Sequence, residues 1–134
     1  MARRVEPSDD AVYLSETDRL ATHDGLRLYV QHWRPTITPR AVVIVLHGLA
    51  EHGGRHAALA EALAAAGYAV VALDLRGHGR SEGAWAYVDD FEDYLRDVDA
   101  LTEDTHSRYP ECPLFLFGHS MGGTIAALWS ITRC

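Results

Sequence analysis

Residues 118–122 could supply nucleophilic chemistry, because they read Gly-His-Ser-Met-Gly and match the pattern G-x-S-x-G. The apolar run at 114–117 precedes them, and a segment of helical composition follows at 124–129. A strand, a glycine-flanked serine and a helix form the context of a nucleophile elbow, in which a sharp turn exposes the serine hydroxyl. Gly118 and Gly122 leave room for the close approach of strand and helix. Ser120 is therefore the predicted nucleophile.

The segments that must position this turn are strands alternating with helices. Apolar runs at 41–46, 69–73 and 114–117 are typical of parallel strands buried on both faces. Helices are predicted between them, one over 55–66 and one starting at Asp89 and ending near residue 108. The segments 19–22 and 26–33 flank Asp24-Gly25, which predicts a leading hairpin. The fold class is therefore α/β, with a parallel sheet and crossover helices.

Three loops follow the carboxyl ends of these strands, at residues 47–55, 74–83 and 118–123. Ligands of open parallel sheets bind beyond that edge. All three loops are rich in glycine and histidine, so the polar chemistry of the chain is concentrated there. The backbone N–H of Met121, directly after the nucleophile, is expected to face a developing oxyanion.

The same loops carry three motifs: H-G-x-x-E-H-G-G-R, D-x-R-G-H-G-x-S-E-G and G-H-S-M-G-G. Together they resemble the α/β-hydrolase superfamily, and within it the monoacylglycerol lipase and lysophospholipase branch, over residues 20–128. The resemblance implies acyl transfer to Ser120 and an oxyanion hole made by the backbone N–H groups of Leu49 and Met121. It also implies that Glu51 and Arg55 lie near the polar end of the substrate.

Other polar residues of the loops are expected to be structural. His47, Gly48, Gly118, His119 and Gly122 would shape the turns around the site. His52 and His78 are interpreted as hydrogen-bonding residues, and Asp74 and Arg76 as holding their loop through an ion pair or backbone bonds. The histidine spacing forms neither H-x-x-x-H nor H-E-x-x-H, so no metal site is expected. No cofactor is expected either.

A serine hydroxyl needs a base, and the base needs an orienting carboxylate. In this superfamily the chain order is Ser, then Asp or Glu, then His. Residues 121–134 contain none of these acids and no histidine. We therefore expect a truncated α/β-hydrolase domain that lacks the C-terminal strands and the lid, with a frame error or a split protein as alternatives. The strand at 114–117 would then form an exposed sheet edge.

The predicted function is that of a serine hydrolase acting on carboxylic esters of the monoacylglycerol or lysophospholipid type. One alternative is a catalytically silent fragment or partner-binding remnant, because the triad acid and base are missing. Another is a different activity of the same fold: an esterase, thioesterase or peptidase, since specificity comes largely from the lid and pocket.

The composition sets limits on the partners. The 134 residues are 48% hydrophobic and 23% charged, and the formal net charge of −7 argues against nucleic-acid binding. The expected partners are a small lipid ester and a missing C-terminal half or complementing chain. The start of the chain resembles no signal peptide, which predicts a cytoplasmic protein, with peripheral membrane contact in a full-length form. Residues 1–12 are interpreted as a polar leader and 13–134 as the domain, with Cys112 and Cys134 as free thiols.

Overall fold

The computed structural model describes residues 3–4 and 12–133. The described residues form one six-stranded sheet, three α-helices and one short 3-10 helix. The strands are β1 (Arg3–Arg4), β2 (Tyr13–Ala21), β3 (Arg27–Pro35), β4 (Val42–Leu46), β5 (Ala69–Leu73) and β6 (Leu114–Gly118). The α-helices are α1 (Ala57–Ala65), α2 (Glu92–Arg108) and α3 (Met121–Arg133), and the 3-10 helix is Gly53–His56.

The sheet has the order β1-β2-β3-β5-β4-β6. The pairs β1–β2, β2–β3 and β3–β5 are antiparallel, whereas β4 runs parallel to both β5 and β6. Leu46 at the end of β4 pairs with Leu73 on one side and with Gly118 on the other. The carboxyl ends of the three parallel strands therefore meet at one rim. This arrangement confirms the predicted hairpin followed by parallel strands with crossover helices.

The hairpin of β2 and β3 closes around a five-residue connection. Ala21 pairs with Arg27 as the last register position, and the N–H of Thr22 donates to the carbonyl of Leu26 at 2.9 Å. Gly25 has φ +86°, a conformation that glycine adopts without steric cost. The Asp-Gly pair thus marks the turn correctly, within a longer loop than a two-residue one.

The core has two layers because helices cover both faces of the sheet. On one face, α2 and α3 bury Tyr94, Val98, Leu101 and Ile125 against the strands. On the other face, the helix α1 buries a smaller apolar cluster. Ala60 and Ala64 of this helix belong to one cluster with the strand residues Trp33, Val45 and Val70. The small alanine side chains let α1 approach the sheet closely.

The observed starts of α1 and α2 differ from the predicted ones. The segment predicted as one helix from residue 55 begins as the 3-10 turn Gly53–His56, and α1 starts only at Ala57. At the start of α2, the carboxylate of Asp90 accepts a hydrogen bond from the N–H of Glu92 at 2.9 Å. Asp89 was predicted at this start, but its carboxylate accepts instead from the hydroxyl of Tyr87.

The strand β6 forms one edge of the described sheet. Its side chains alternate in burial, with Phe115 56% and Phe117 39% exposed. The apolar run at 114–117 is therefore not buried on both faces. The exposed edge agrees with the expectation for a sheet without further strands beyond β6.

Most of the predicted polar leader lies outside the described residues. The part that is described, Arg3–Arg4, pairs with Thr17 and Glu16 and so extends the sheet. Cys112 is a free thiol, as predicted, and Cys134 lies outside the described residues. None of the helices between residues 12 and 133 combines the length and the apolar content needed to cross a membrane.

Candidate active site

Ser120 occupies the turn between β6 and α3. The strand ends at Gly118 and the helix begins at Met121, so only two residues make the change of direction. Ser120 has φ +56°, in the left-handed region that non-glycine residues rarely adopt. Such a conformation costs of order 1–3 kcal/mol and is concentrated at functional sites. The side chain is exposed at the rim of the sheet.

The glycines around Ser120 are required by close backbone approaches. A Cβ on Gly118 would overlap the carbonyl oxygen of Gly122 and lie 2.5 Å from the Cα of Gly123. A Cβ on Gly122 would overlap the carbonyl oxygen of Leu46 and lie 2.5 Å from that of His47. The N–H of His119 also donates to the carbonyl of Leu46 at 3.0 Å. The elbow is thus pressed against the end of β4.

The loop after β4 reaches Ser120 through Gly48. A Cβ on Gly48 would lie 3.1 Å from the Cβ of Ser120, so any side chain at this position would crowd the serine. The first loop and the elbow therefore meet at Ser120, as the sequence motifs predict. Glycine at position 48 keeps this space open.

His47 sets the orientation of the peptide that follows Gly48. It is fully buried, and its Nε2 accepts a hydrogen bond from the N–H of Leu75 at 2.9 Å. Its Nδ1 therefore carries the proton and donates to the carbonyl of Gly48 at 2.7 Å. In a planar trans peptide the N–H is antiparallel to the carbonyl. The N–H of Leu49 consequently points away from His47. Burial lowers the pKa of His47, which favours this neutral ring.

Two backbone N–H groups flank Ser120 without a bonded acceptor. Within residues 12–133, neither the N–H of Leu49 nor that of Met121 donates a hydrogen bond. Met121 is the first residue of α3, so its N–H lies at the positive end of the helix dipole, which favours a negatively charged acceptor there. These are the two groups predicted to form an oxyanion hole.

Glu51 lies between the first loop and the elbow. Its Oε1 is 3.2 Å from Nδ1 of His119 and 3.7 Å from Nη1 of Arg55, and its Oε2 is 3.7 Å from Nε2 of His56. Burial acts to raise the pKa of Glu51, but Arg55 and His119 outweigh it and the pKa is lowered. Burial lowers the pKa of His56. Glu51 is thus ionised next to two imidazoles and one exposed guanidinium.

The sequence motifs single out Glu51 and His119, but His56 was not given a role. The signal that could identify it is its position five residues after Glu51, directly after the loop 47–55. That spacing matches no metal or catalytic motif, because the 3-10 turn between the two residues is not predictable from periodicity. Only the fold brings His56 beside a histidine of the elbow.

The two alternatives predicted for the second loop, an ion pair between Asp74 and Arg76 or bonds to the backbone, have different outcomes. The carboxylate of Asp74 accepts from the N–H of Gly53 at 2.7 Å and from the N–H of Arg80 at 3.0 Å. The alternative of backbone bonds is thus correct for Asp74. Arg76 does not pair with Asp74; its guanidinium binds the carboxylates of Asp24 and Asp97. An ion pair within the loop was the wrong alternative, because Arg76 turns inward toward α2.

The remaining predicted histidines differ in their contacts. His78 is buried, and its Nδ1 bonds the carbonyl of Arg76 at 2.9 Å, as expected for a structural residue. The prediction of a hydrogen-bonding role is wrong for His52, which is exposed and makes no side-chain hydrogen bond among residues 12–133. The histidine contacts of this part of the chain do not include the hydroxyl of Ser120.

Comparison with known proteins supports this reading of the fold. Residues 37–134 match the family model described as "Serine aminopeptidase, S33". The chain is 44% identical to the monoglyceride lipase of Homo sapiens over 114 residues, which cover 85% of this chain and 38% of that relative. It is 42% identical to the monoacylglycerol lipase of Mycolicibacterium smegmatis over 101 residues, which cover 75% of this chain and 36% of that relative.

A similar structure is that of a thermostable carboxyl esterase from Bacillus coagulans, solved in complex with glycerol. It superposes with a TM-score of 0.82 and 29% identity, covering 89% of this chain and 40% of the esterase. The chain therefore spans about two-fifths of the length of these three proteins.

Proposed function

Because the chain belongs to the serine aminopeptidase S33 family of α/β-hydrolases, we propose that it carries the nucleophile of a serine hydrolase acting on monoacylglycerol or lysophospholipid esters. Ser120 Oγ would attack the ester carbonyl, the alcohol would leave with a proton, and water would then hydrolyse the acyl-serine. The observation that carries this proposal is the strained, exposed Ser120 against the backbone of Gly48.

The oxyanion hole is proposed at the N–H groups of Leu49 and Met121. The hydrogen bonds of His47 support this role for Leu49, because they turn the carbonyl of Gly48 away and leave the next N–H without an acceptor. Removal of one oxyanion-hole donor lowers the catalytic rate about 10²–10³-fold in a well-studied protease. The helix start at Met121 supports the second donor.

The polar end of the substrate is proposed to contact Glu51 and Arg55. Glu51 is an ionised acceptor suited to the hydroxyl groups of a glycerol moiety, and it lies against Gly48 beside the nucleophile. The side chain of Arg55 is 64% exposed, so it can reach a head group from solvent.

A proton acceptor for Ser120 is proposed to come from a C-terminal half or a complementing chain. Residues 121–134 contain no Asp, Glu or His, and within residues 12–133 no histidine bonds the Ser120 hydroxyl: His47 and His78 bond backbone carbonyls, and His56 and His119 face Glu51. This observation favours a second candidate, in which the 134 residues alone are catalytically silent. The two candidates differ only in whether a base is supplied.

The test is chemical rescue with free imidazole. The purified chain is assayed with a nitrophenyl butyrate ester while imidazole is added as an external base. The rate above that of Ser120→Ala should be close to zero without imidazole and should rise with its concentration. Ser120→Ala removes the background that imidazole itself produces. Ser130→Ala is the matched control, because Ser130 lies exposed on α3 and bonds only the carbonyl of Ala126.

Equal rates for the unmodified chain and Ser120→Ala at every imidazole concentration would refute the nucleophile. A Ser120-dependent rate without imidazole would refute the silent chain. A rescued chain that cleaves a thioester or a peptide anilide faster than the ester would favour another hydrolase activity over the lipase-like one.

A further inference from the structure

Three ligand-type side chains from two loops converge beside the elbow. One oxygen of Glu51, one ring nitrogen of His56 and one ring nitrogen of His119 all lie within 4.8 Å of one another. The closest approaches are 3.2 Å from Glu51 Oε1 to His119 Nδ1 and 3.7 Å from Glu51 Oε2 to His56 Nε2. The rings of His56 and His119 are tilted by 58° with centroids 5.7 Å apart, so they do not stack.

Two atoms of this cluster are buried without a hydrogen-bond partner: Oε2 of Glu51 and Nε2 of His56. The great majority of buried polar atoms in proteins have a hydrogen-bond partner, and a bound water or ion is one explanation for an atom that has none. The two atoms face each other at 3.7 Å, too far for a direct hydrogen bond. A species between them would satisfy both.

The spacing fits a metal ion of the zinc type. Zinc binds imidazole nitrogen and carboxylate oxygen at about 2.0–2.1 Å in tetrahedral geometry, which places neighbouring ligand atoms about 3.3–3.4 Å apart. The distance from Glu51 Oε1 to His119 Nδ1, 3.2 Å, is close to this value, and the distance from the other carboxylate oxygen, Oε2, to His56 Nε2 is slightly longer at 3.7 Å. His119 is half exposed, so the fourth position opens to solvent. Two imidazoles and one carboxylate also match the ligand preference of divalent transition metals.

We propose that Glu51, His56 and His119 form a binding site for a divalent transition-metal ion, with zinc as the best fit. The site departs from the expectation based on histidine spacing, because its ligands come from two loops that only the fold brings together. It does not depend on a reaction at Ser120. A metal ion there would hold the first loop against the elbow, and it would occupy the carboxylate proposed for the substrate head group.

Another cluster of ligand-type residues, His23, Asp24 and Asp93, is a weaker candidate. Arg76 already donates to both carboxylate oxygens of Asp24, at 2.8 and 3.0 Å, and lies 3.8 Å from Asp93. A buried guanidinium would repel a second cation. Among residues 12–133, the guanidinium paired with Glu51 is that of Arg55, and its exposed side chain can turn into solvent.

The first experiment is calorimetric titration of the full 134-residue chain with zinc chloride, after removal of metal by a chelator. One zinc ion per chain is expected. His56→Gln and Glu51→Gln should each weaken the affinity by at least about tenfold, the lower limit for losing a supporting contact of a metal site. The matched control is His52→Gln, because His52 lies in the same loop and outside the cluster; its affinity should not change. Asp93→Asn tests the alternative cluster.

The second experiment uses the unmodified chain, so it does not depend on the folding of any variant. X-ray absorption at the zinc edge should show scattering from two imidazole rings. Cobalt substitution should give the strong visible absorption of a tetrahedral site. Unchanged affinity in His56→Gln, a loss in Asp93→Asn, absence of imidazole scattering, or no saturable zinc binding would each overturn the proposal.

Discussion

Arg76 and Asp97 form a two-pronged ion pair in the interior, with Nε donating to Oδ2 and Nη2 donating to Oδ1, both at 2.7 Å. The side chain of Asp97 is fully buried and that of Arg76 is 7% exposed. The hydrogen bonds to Asp97 raise the pKa of Arg76, so the guanidinium stays charged. The pair joins the second loop to α2, and Asp24 of the hairpin completes it. The loop next to the candidate site is therefore tied to two other elements.

Asp97→Ala should strongly destabilise the protein, because it leaves a buried guanidinium with only the partly exposed Asp24 as its main partner. Breaking a buried pair by removing one member costs about 3–5 kcal/mol. The free energy of unfolding is measured by urea denaturation followed by circular dichroism. Asp104→Ala is the control, because its pair with Arg108 is partly exposed and worth at most about 1 kcal/mol. Equal losses in the two variants would contradict this assignment.

Gly122→Ala should destabilise by about 3 kcal/mol, because the new methyl would overlap the backbone carbonyl oxygens of Leu46, at the end of β4, and of His47. Gly123→Ala is the matched control in the same turn of α3. Its methyl would lie 3.3 Å from the carbonyl oxygen of Gly118, and alanine favours a helix by about 1 kcal/mol. Its unfolding free energy should stay within about 1 kcal/mol of the unmodified chain. A tolerated Gly122→Ala would mean that the elbow does not pack against β4.

Ser120→Gly should raise the unfolding free energy by about 0.5–1 kcal/mol. Glycine relieves the left-handed backbone at φ +56°, and part of that gain is offset by the greater freedom of glycine in the unfolded chain. Ser130→Gly, within α3, should show the opposite sign, with a loss of about 0.5 kcal/mol. Thermal and urea unfolding of both variants measure the difference. A lower unfolding free energy in Ser120→Gly would show that the backbone of Ser120 carries no strain.

His32→Leu should raise the free energy of unfolding, and the increase should be larger at acidic pH than near neutral pH. His32 is 2% exposed, and both of its ring nitrogens are buried without a hydrogen-bond partner. Removing an unpaired buried polar group should gain about 1 kcal/mol near pH 8. Burial lowers the pKa of His32 below 6.5, so the unfolded chain binds more protons than the folded chain as the pH falls below that value. His32 therefore reduces stability in this window, and the variant should lose this part of the dependence.

The measurement for His32 is the unfolding free energy at about pH 5 and about pH 8. A weaker pH dependence should remain in His32→Leu, because burial also lowers the pKa of His47. His106→Leu, at an exposed position on α2, is the control and should change stability by at most about 0.5 kcal/mol. A gain that is independent of pH would show that His32 does not titrate differently on folding.

The sequence alone determined the parts that depend on local pattern. The apolar runs of β4 and β5 predicted buried strands, and Asp24-Gly25 predicted the hairpin turn. The strand, the glycine-flanked Ser120 and the helix predicted an elbow. These features are encoded by neighbours in the chain, because backbone conformation and side-chain periodicity are local properties.

Only the tertiary structure decided which distant residues meet. Arg76 pairs with Asp97 of α2 rather than with Asp74 of its own loop. His56 becomes a neighbour of His119 because β4 and β6 are adjacent and parallel, which brings their following loops to the same rim. Long-range partners of charged side chains depend on how elements pack, and sequence periodicity carries no information about that packing.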